Sequence, residues 1–371
     1  MTATLLVINA GSSSVKFSLY AKDGLAELAE GQVERIGLEP RFQARTQAGR
    51  EERRDLPATT RQPEAFGVIL DWLDQSDLDC QIAAVAHRVV HGGTRFHAPV
   101  CVTPDIHAEL AALSPLAPLH QPHNLSLLAA ASAALPDVPQ IACFDTAFHA
   151  DHAPLFQQFA IPEAWTARGV RRYGFHGLSY EWIAERLRED YPALHAGRVV
   201  VAHLGNGSSL CALAGGRSID TTMGMTALDG LPMGTRSGAI DPGALLYLQE
   251  EHGLSAADLR RLLYHESGLL GLSGESSDMR CLLASDSPRA AFAIDYYALA
   301  VAKYTLHMAV SLGGLDALVF TAGIGTHASE VRRRVCERLA PLIQPTVLVI
   351  PTDEERMMAR HALHILAENP A

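Results

Sequence analysis

The chain opens with an apolar run, a loop of small polar residues and a second apolar run. LLVIN at 5–9 and VKFSLY at 15–20 flank the loop AGSSS. The same order returns where VVVAHL at 199–204 leads into GNGSS and a further apolar stretch. Apolar residues with high β propensity on both sides of a Gly/Ser loop predict a β-hairpin. The sequence therefore predicts two similar hairpins, far apart in the chain.

Other segments have the spacing of helices. Residues 63–75 and 290–311 place apolar side chains three and four positions apart, and 124–135 is rich in Ala and Leu. This spacing predicts amphipathic helices, and Gly313-Gly314 is predicted to close the helix at 290–311. Ser179 precedes WIAERLRED as a predicted N-cap, and Ser329 is positioned to cap a helix near the C-terminus.

Apolar runs predict further strands. Residues 82–90, 138–144 and 347–352 are such runs, and DALVFTAGIG at 316–325 predicts a buried strand that opens into a glycine turn. Residues 30–61 carry mixed charges and predict a solvated edge hairpin or loop.

Strand–helix alternation after each hairpin predicts duplicated α/β domains around a cleft. Residues 145–175 have little periodicity and are predicted to link the two domains. A length of 371 residues suits two domains.

Composition narrows the class of protein. With 48% hydrophobic and 19% charged residues, the chain is expected to be soluble and globular. No apolar run reaches the roughly 18 residues of a membrane span, and no basic region precedes the first apolar stretch as in a signal peptide. A cytoplasmic location is therefore expected. The net charge of −11 argues against a nucleic-acid partner.

The six cysteines are far apart, without CxxC or zinc-like spacing, and are expected to be reduced, mostly buried thiols. Lysine occurs only at Lys16, Lys22 and Lys303, so a lysine directly after the first Gly/Ser loop is notable. Such loops can form anion-binding nests of backbone N–H groups. Ordinary turns are the alternative for either loop by itself. No P-loop motif occurs.

Several charged residues stand where they could handle an anion. Arg88 lies inside the apolar strand HRVVHGG, where either an anionic ligand or a structural salt bridge would explain it. Arg236 is centred in the glycine-rich loop GLPMGTRSGAIDPG. Asp145 ends a strand in FDTAFH, and His176 stands between glycines in RYGFHG.

Short motifs in order along the chain resemble the acetate kinases. They are INAGSSSVKF, HRVVHGG, LAPLH, FDTAFH, RYGFHG, HLGNGSS, GLPMGTRSG, SSDMR, AGIG and PTDEE, and they span residues 7 to 355. The resemblance implies the fold of the acetate and sugar kinase, heat-shock-70 and actin superfamily. In that α/β fold, two duplicated RNase H-like domains of the actin-like ATPase type surround a nucleotide cleft.

The resemblance implies two domains, a homodimer, and ATP or ADP with Mg²⁺. Residues 1–147 plus 356–371 would form the N-terminal domain with the first phosphate hairpin. Residues 148–355 would form the nucleotide-binding domain with the second phosphate hairpin.

The resemblance also assigns roles to residues. The magnesium-associated pair would be Asn9 and Glu354. The nucleotide would be bound by Lys16, His203, Leu204, Gly205, Asn206, Gly207, Asp278, Met279, Arg280, Gly323, Ile324, Gly325, Thr326 and His327. The substrate would be bound by Arg88, Val90, Leu119 and Phe175. The catalytic group would comprise Arg88, Asp145, His176 and Arg236.

The sequence departs from the family pattern at two places. Thr326 and His327 replace a usual Glu-Asn pair beside the nucleoside segment. Ala227, in MTALDG, replaces a usual proline near the acyl pocket, and the lost ring could widen the site enough for propionate.

The expected function is reversible, Mg-dependent phosphoryl transfer from ATP to acetate, giving acetyl phosphate and ADP by direct in-line transfer. Acetate is already ionised at neutral pH, so the barrier is repulsion between anions rather than the lack of a base. The alternatives are a propionate or butyrate kinase, or a non-catalytic ATP-binding sensor of the same fold.

Overall fold

The computed structural model describes residues 1–11, 13–118 and 120–368. The chain divides into two compact units. Unit 1 comprises Met1–Phe148 together with the C-terminal segment that starts at Asp353, and unit 2 is His149–Thr352.

Unit 1 is built on an eight-stranded sheet with helices. Its strands are β1 Thr2–Ala10, β2 Val15–Ala21, β3 Glu27–Glu34, β4 Arg41–Thr46, β5 Glu51–Asp55, β6 Cys80–Val89, β7 Val100–Cys101 and β8 Gln140–Phe144. Its helices are α1 Gln62–Asp74, α2 Pro104–Ala112, α3 Gln121–Ala134 and the C-terminal helix Glu354–Glu368. Short 3-10 turns occur at Ser114–Leu116 and at Ala147–His149, where unit 1 ends.

Unit 2 contains a five-stranded sheet and most of the helices. The strands are β9 Arg198–Leu204, β10 Ser208–Ala214, β11 Arg217–Thr221, β12 Ala317–Thr321 and β13 Thr346–Val349. The helices are α4 Pro154–Gln157, α5 Glu163–Thr166, α6 Gly177–Asp190, α7 Pro192–His195, α8 Pro242–Glu250, α9 Ala256–His265, α10 Gly268–Ser273, α11 Met279–Leu283, α12 Pro288–Leu312, α13 Ala322–His327 and α14 Ser329–Leu339.

The two sheets share a topology. The central part of the first sheet has the order β3-β2-β1-β6-β8, and the second has the order β11-β10-β9-β12-β13. In each sheet, the first three strands in sequence are antiparallel neighbours, β1, β2 and β3 in the first sheet and β9, β10 and β11 in the second. On its other side, β1 pairs in parallel with β6, and β6 with β8. In the same way, β9 pairs in parallel with β12, and β12 with β13. This repeated arrangement is an internal duplication, as the two similar sequence hairpins predicted.

The predicted hairpins are confirmed. In unit 1, Asn9 lies opposite Lys16 and Ala10 opposite Val15. In unit 2, Leu204 lies opposite Ser208 at the corresponding end of the hairpin. Each Gly/Ser loop therefore closes an antiparallel pair.

The core of unit 1 lies between its sheet and helices α1 and α3. Trp72 is 1% exposed and its ring packs edge-on against Phe17 and Phe42, with ring centroids 5.7 and 6.0 Å away. In unit 2 the long helix α12 buries a stripe of side chains against the sheet, including Tyr297 and Val301. Large side chains removed from water in this way dominate the stability of such layers.

Both sheets thus hold their hairpin loops on rigid frames.

The end of α12 was predicted correctly, since Gly313 caps the helix in the left-handed conformation at φ 68°.

Residues 30–61 were predicted as an edge hairpin or loop. They include most of β3 and all of β4 and β5, and β5 is an edge strand of the sheet. Its burial pattern shows mostly exposed side chains, as expected of a charged edge.

Two predicted helix caps are wrong. Helix α6 begins two residues before Ser179, and its N-cap is His176, in the left-handed conformation at φ 58°. The Ser179 hydroxyl instead lies 2.8 Å from His203 Nδ1, so a tertiary contact replaces the cap. Ser329 is the first residue of α14, and Ala328 is its N-cap.

The predicted glycine turn after β12 is also wrong. The segment AGIGTH forms helix α13, and the change of direction is made at Ala322, with φ 63°. A left-handed alanine is strained by its Cβ.

None of the six cysteines, all of which lie in described segments, forms a disulfide, as predicted. The prediction that most of them are buried is wrong, because only Cys143 and Cys211 are. Across the part of the chain that the structure describes, no helix combines the length and the hydropathy needed to cross a bilayer.

Candidate active site

The first cluster of polar side chains lies at one edge of the unit 1 sheet. Asn9 is near the end of β1, Arg88 near the end of β6, and Asp145 directly follows β8. These three strands are parallel neighbours. Ile8 of β1 lies opposite His87 of β6, and Arg88 of β6 lies opposite Cys143 of β8. The ends of parallel strands meet at one edge, so residues distant in sequence come together there.

Arg88 is the centre of this cluster. Its Nε and Nη2 donate to the two carboxylate oxygens of Asp145 at 2.9 and 2.6 Å. Its Nη1 lies 3.3 Å from Asn9 Oδ1 and 3.4 Å from Glu354 Oε2. A bidentate pair fixes the plane of the guanidinium. We call Asn9, Arg88, Asp145, Glu354 and Glu355 the arginine cluster.

The carboxylates of the arginine cluster affect one another. The pKa of Glu354 is raised to about 7, and burial is the largest cause. The negative charges of Asp145 and Glu355 raise this pKa further, whereas the positive charge of Arg88 lowers it. For Arg88, burial lowers the pKa, but the neighbouring carboxylates of Asp145 and Glu354 outweigh that effect and raise it. Glu354 is thus a carboxylate whose negative charge is poorly compensated, and a cation would stabilise that charge.

Glu355 belongs to this cluster although the sequence reasoning named only Glu354. The Asn9 side-chain amide donates to Glu355 Oε1 at 3.0 Å. The signal was in the sequence, since both glutamates stand in the motif PTDEE.

Lys16 lies on the hairpin strand opposite Asn9 and is exposed. It lines a cavity of about 580 Å³ in unit 1 together with Asp353 and Glu355. Val90, just beyond β6, is buried, and its N–H donates to Asn124 Oδ1 at 3.2 Å. Leu119, the other predicted substrate contact in this unit, lies outside the described residues.

The second cluster lies in unit 2, around the loop between β9 and β10. A Cβ atom placed on Gly207 would lie 3.2 Å from His176 Nε2 and 3.9 Å from Arg236 Nη1. The imidazole and the guanidinium therefore both face the backbone of this loop. The Gly234 N–H donates to Asn206 O at 3.1 Å and joins the arginine loop to the hairpin.

His176 is held on several sides. Its Nδ1 lies 2.8 Å from Ser209 Oγ, and its ring stacks on His203 with centroids 4.1 Å apart and planes 18° apart. The preceding Phe175 is 2% exposed, and its carbonyl accepts a hydrogen bond from His149 Nε2 at 3.0 Å. Arg236 Nη1 donates to Ala227 O at 3.0 Å.

The segments predicted to contact the nucleoside also lie in unit 2. Asp278 caps α11 by accepting from the Arg280 N–H at 2.8 Å, and the Arg280 side chain is 88% exposed. Gly323, Ile324 and Gly325 lie in α13. A Cβ on Gly325 would be 3.4 Å from Ala202 O, so α13 runs close to β9.

Thr326 and His327 end α13. Arg332 in α14 was not predicted from the sequence, and its Nη1 donates to the carbonyls of Gly325 and Thr326 at 2.8 Å each. Nothing in the local sequence distinguishes this arginine from its two neighbours.

The predicted site residues are thus gathered in two groups. Unit 1 holds Arg88, Asp145, Asn9 and Glu354, and unit 2 holds His176 and Arg236 with the second hairpin.

The arginine cluster has donors suited to Mg²⁺. The Asn9 and Glu354 oxygens approach the same Arg88 nitrogen, and Glu355 adds a second carboxylate. Within residues 1–11, 13–118 and 120–368, no set of three or more His, Cys, Asp or Glu residues forms a metal cage. Mg²⁺ commonly takes only one or two carboxylates besides water and substrate phosphates, so this oxygen set fits the ion.

Known proteins resemble the chain over nearly its whole length. The model of the acetokinase family matches residues 4–359. An acetate kinase of Rhodopseudomonas palustris is 49% identical over 392 aligned positions, which cover 97% of this chain and 98% of that protein.

Two solved structures are also similar. The acetate kinase of Porphyromonas gingivalis superposes with a TM-score of 0.87 at 36% identity, covering 98% of this chain and 100% of that one. A propionate kinase from Francisella tularensis subsp. tularensis superposes with a TM-score of 0.90 at 34% identity, covering 97% and 98%.

These similarities confirm the family and the actin-like α/β fold predicted from the sequence. They also confirm the predicted class of enzyme, a phosphotransferase with a carboxyl group as acceptor. Taken with the duplicated sheets and the hairpins, they show that the chain belongs to the acetokinase family.

Proposed function

We propose that the protein is an acetate kinase that transfers the γ-phosphoryl group of ATP to acetate and gives acetyl phosphate and ADP. The observation that carries this is the Arg88–Asp145 pair, a guanidinium fixed in its plane beside carboxylate and amide oxygens. A protein that only senses a nucleotide would not need a carboxylate-binding arginine that is fixed in this way.

Acetate needs no general base. With a pKa of ~4.5 it is ionised at neutral pH and already nucleophilic. The difficulty is to bring an anion to a highly charged phosphate, so positioning and neutralisation of charge carry the catalysis. This favours direct in-line transfer.

Arg88 is the group assigned to the acetate carboxylate. A guanidinium has five N–H donors, of which Asp145 takes two and Asn9 a third. Asp145 therefore orients Arg88 and does not remove a proton, since acetate has none to give. Val90, Leu119 and Phe175 are assigned to the methyl side of the substrate on the resemblance.

His176 and Arg236 are assigned to the phosphoryl group in transfer. Both face Gly207 in the second hairpin loop, where backbone N–H groups suit an anion. Donors aimed at charge that develops in the transition state are worth more there than in the ground state. An arginine in this role contributes about 10³–10⁵ in rate.

The nucleotide is assigned to both hairpins and to the segments of Asp278–Arg280 and Gly323–His327. Asn9 and Glu354 would hold Mg²⁺, with Glu355 beside them. The ion would neutralise phosphate oxygens of the nucleotide. The raised pKa of Glu354 is consistent with this role, because a cation would stabilise the ionised carboxylate.

The predicted domain boundaries, homodimer and cytoplasmic location remain part of this proposal. The domain boundaries and the homodimer rest on the sequence resemblance, and the cytoplasmic location rests on the sequence pattern.

Propionate is the second candidate acceptor. Ala227 has only a methyl side chain where the family usually has a proline ring, and its carbonyl contacts Arg236. The similar structure from Francisella tularensis is that of a propionate kinase.

A hydroxamate trap for acyl phosphate tests the function directly. Purified full-length protein with ATP, Mg²⁺ and acetate should yield acetyl hydroxamate, and mixtures without acetate or without ATP should not. ATP binding without any acyl phosphate from acetate, propionate or butyrate would favour the sensor and overturn the proposal.

A further inference from the structure

Behind His176 lies a buried pair of hydroxyl groups that the reaction described so far does not use. Ser209 on β10 is 2.8 Å from His176 Nδ1, and its Oγ is also 2.5 Å from the Tyr180 hydroxyl. Both Ser209 and Tyr180 are 0% exposed. A buried chain of polar groups therefore runs from Tyr180 through Ser209 to the imidazole.

The backbone places this chain firmly. Tyr180 is one helical turn after His176, and its N–H donates to His176 O at 3.1 Å. Ser209 lies opposite His203 in the β9–β10 ladder, and His203 stacks on the ring of His176. The phenol, the hydroxyl and the imidazole are thus all attached to regular elements.

The direction of the hydrogen bonds follows from the chemistry of the groups. A phenol, with a pKa near ~10, is a stronger donor and a weaker acceptor than an aliphatic alcohol. Tyr180 therefore donates to Ser209. The single proton of Ser209 is then directed to His176 Nδ1, which accepts it.

An imidazole whose Nδ1 accepts carries its proton on Nε2 when it is neutral. Nε2 is the atom that faces Gly207, a residue that Arg236 Nη1 also faces. The chain of hydroxyls therefore presents an N–H donor to the loop where the phosphoryl group is assigned.

We propose that Tyr180 and Ser209 are positioning residues that fix His176 as its Nε2–H tautomer and aim that donor at the phosphate loop. The consequence for catalysis rests on the role proposed above for His176. The tautomer itself does not.

Nitrogen NMR tests the tautomer without any assay of activity. Full-length protein labelled with ¹⁵N-histidine is studied near neutral to mildly alkaline pH, and His176 is assigned by its loss in His176→Gln. We expect a protonated Nε2 and a bare Nδ1 in the wild type, and a mixture of tautomers in Ser209→Ala. A proton on Nδ1 of the wild type would overturn the proposal even if the protein were not a kinase.

The chain offers a matched control for the kinetic test. Tyr297 is also 0% exposed, and its hydroxyl lies 2.8 Å from Ser208, the residue before Ser209. Tyr180→Phe and Tyr297→Phe each remove one buried phenolic hydroxyl that contacts a serine of β10. Only the first of them touches the chain that leads to His176.

We expect Ser209→Ala and Tyr180→Phe to lower kcat about 3- to 10-fold, the range of one net hydrogen bond, with KM for ATP nearly unchanged. Tyr297→Phe should keep the wild-type kcat. Equal losses in the two tyrosine variants would show a general packing effect and contradict the positioning role.

A double variant separates positioning from packing. Because Ser209 acts through the imidazole, Ser209→Ala added to His176→Ala should cause no further loss of kcat. A loss that multiplies with that of His176→Ala would refute the proposal.

Discussion

Arg88 and Asp145 form a bidentate ion pair, with their side chains 20% and 3% exposed. Arg88 is on β6 and Asp145 follows β8, its parallel neighbour in the sheet. The pair fixes both the position and the plane of a guanidinium at the end of the sheet. A lysine ammonium in its place would keep the charge but lose the planar fork.

Arg88→Lys should therefore retain the fold and lower kcat/KM for acetate by about 10² or more, as does the loss of a preorganised donor. Arg88→Ala should lower turnover by several orders of magnitude. Steady-state kinetics with acetate varied at saturating ATP measures both effects, and circular dichroism checks the fold.

Arg198 provides the matched control for this change. It also makes a bidentate pair, with Asp316 at 3.0 and 2.7 Å, at the start of β9 in unit 2. Arg198→Lys should leave kcat/KM for acetate unchanged. A wild-type value in Arg88→Lys would remove Arg88 from the acetate-binding role.

Gly207→Ala tests whether His176 and Arg236 act at the second hairpin loop. The new Cβ would lie 3.2 Å from His176 Nε2, closer than nine in ten real Cβ contacts, so the imidazole must shift by a few tenths of an ångström. We expect kcat to fall about 10- to 100-fold, because a small displacement from the reactive geometry has a large effect on rate. The melting temperature should change little.

Gly67→Ala is the corresponding control. Gly67 is exposed within α1, and a Cβ there would meet nothing within 4 Å. We expect unchanged activity and a gain of about 0.5–1 kcal/mol in stability, since alanine is the better helix former. Full activity in Gly207→Ala would contradict the assigned roles of His176 and Arg236.

The parts of the fold that could be predicted are those with a strong local period. The hairpin of β1 and β2 and the helix α12 have clear apolar patterns, and glycines mark where α12 ends. These features depend on neighbours in sequence, so the pattern determines them.

The parts that were missed depend on contacts between distant segments. The Ser179 hydroxyl contacts His203 and does not cap α6. Tyr180 contacts Ser209 only because the fold places β10 beside it. The resemblance named every residue of the arginine cluster except Glu355. Their convergence could be seen only once β1, β6 and β8 were known to be neighbours.

His87 predicts a loss of stability in acid. Burial lowers its pKa to about 4, and a hydrogen bond between Nε2 and Gln140 Oε1 at 2.8 Å only partly offsets this. Because the folded pKa lies below the unfolded value of ~6.5, the stabilisation is complete above that value and is lost as pH falls towards 4. The loss amounts to about 3 kcal/mol when complete.

Urea unfolding between pH 7.5 and about 4.5 measures this effect. His87→Gln keeps a polar partner for Gln140 but does not titrate, so its stability should fall less steeply over that range. His364 is the control, because it is exposed on the C-terminal helix, and His364→Gln should keep the wild-type slope. Identical slopes for wild type and His87→Gln would show that His87 is not neutral and buried in the folded protein.

The choice of acid is expected to depend on Ala227. Its methyl side chain leaves more room than a proline ring, while its carbonyl holds Arg236 at 3.0 Å. One methylene changes kcat/KM by a factor of about 10–200 in a tight apolar pocket, so a wide pocket should prefer acetate over propionate by less than about 100-fold.

Ala227→Pro should raise this preference because the ring narrows the space. Since the substitution keeps the carbonyl that Arg236 contacts, kcat with acetate should remain within about threefold of the wild type, less than the effect of one hydrogen bond to a charged group. The hydroxamate assay with each acid in turn gives the ratio, and an unchanged ratio in Ala227→Pro would show that residue 227 does not border the acyl group.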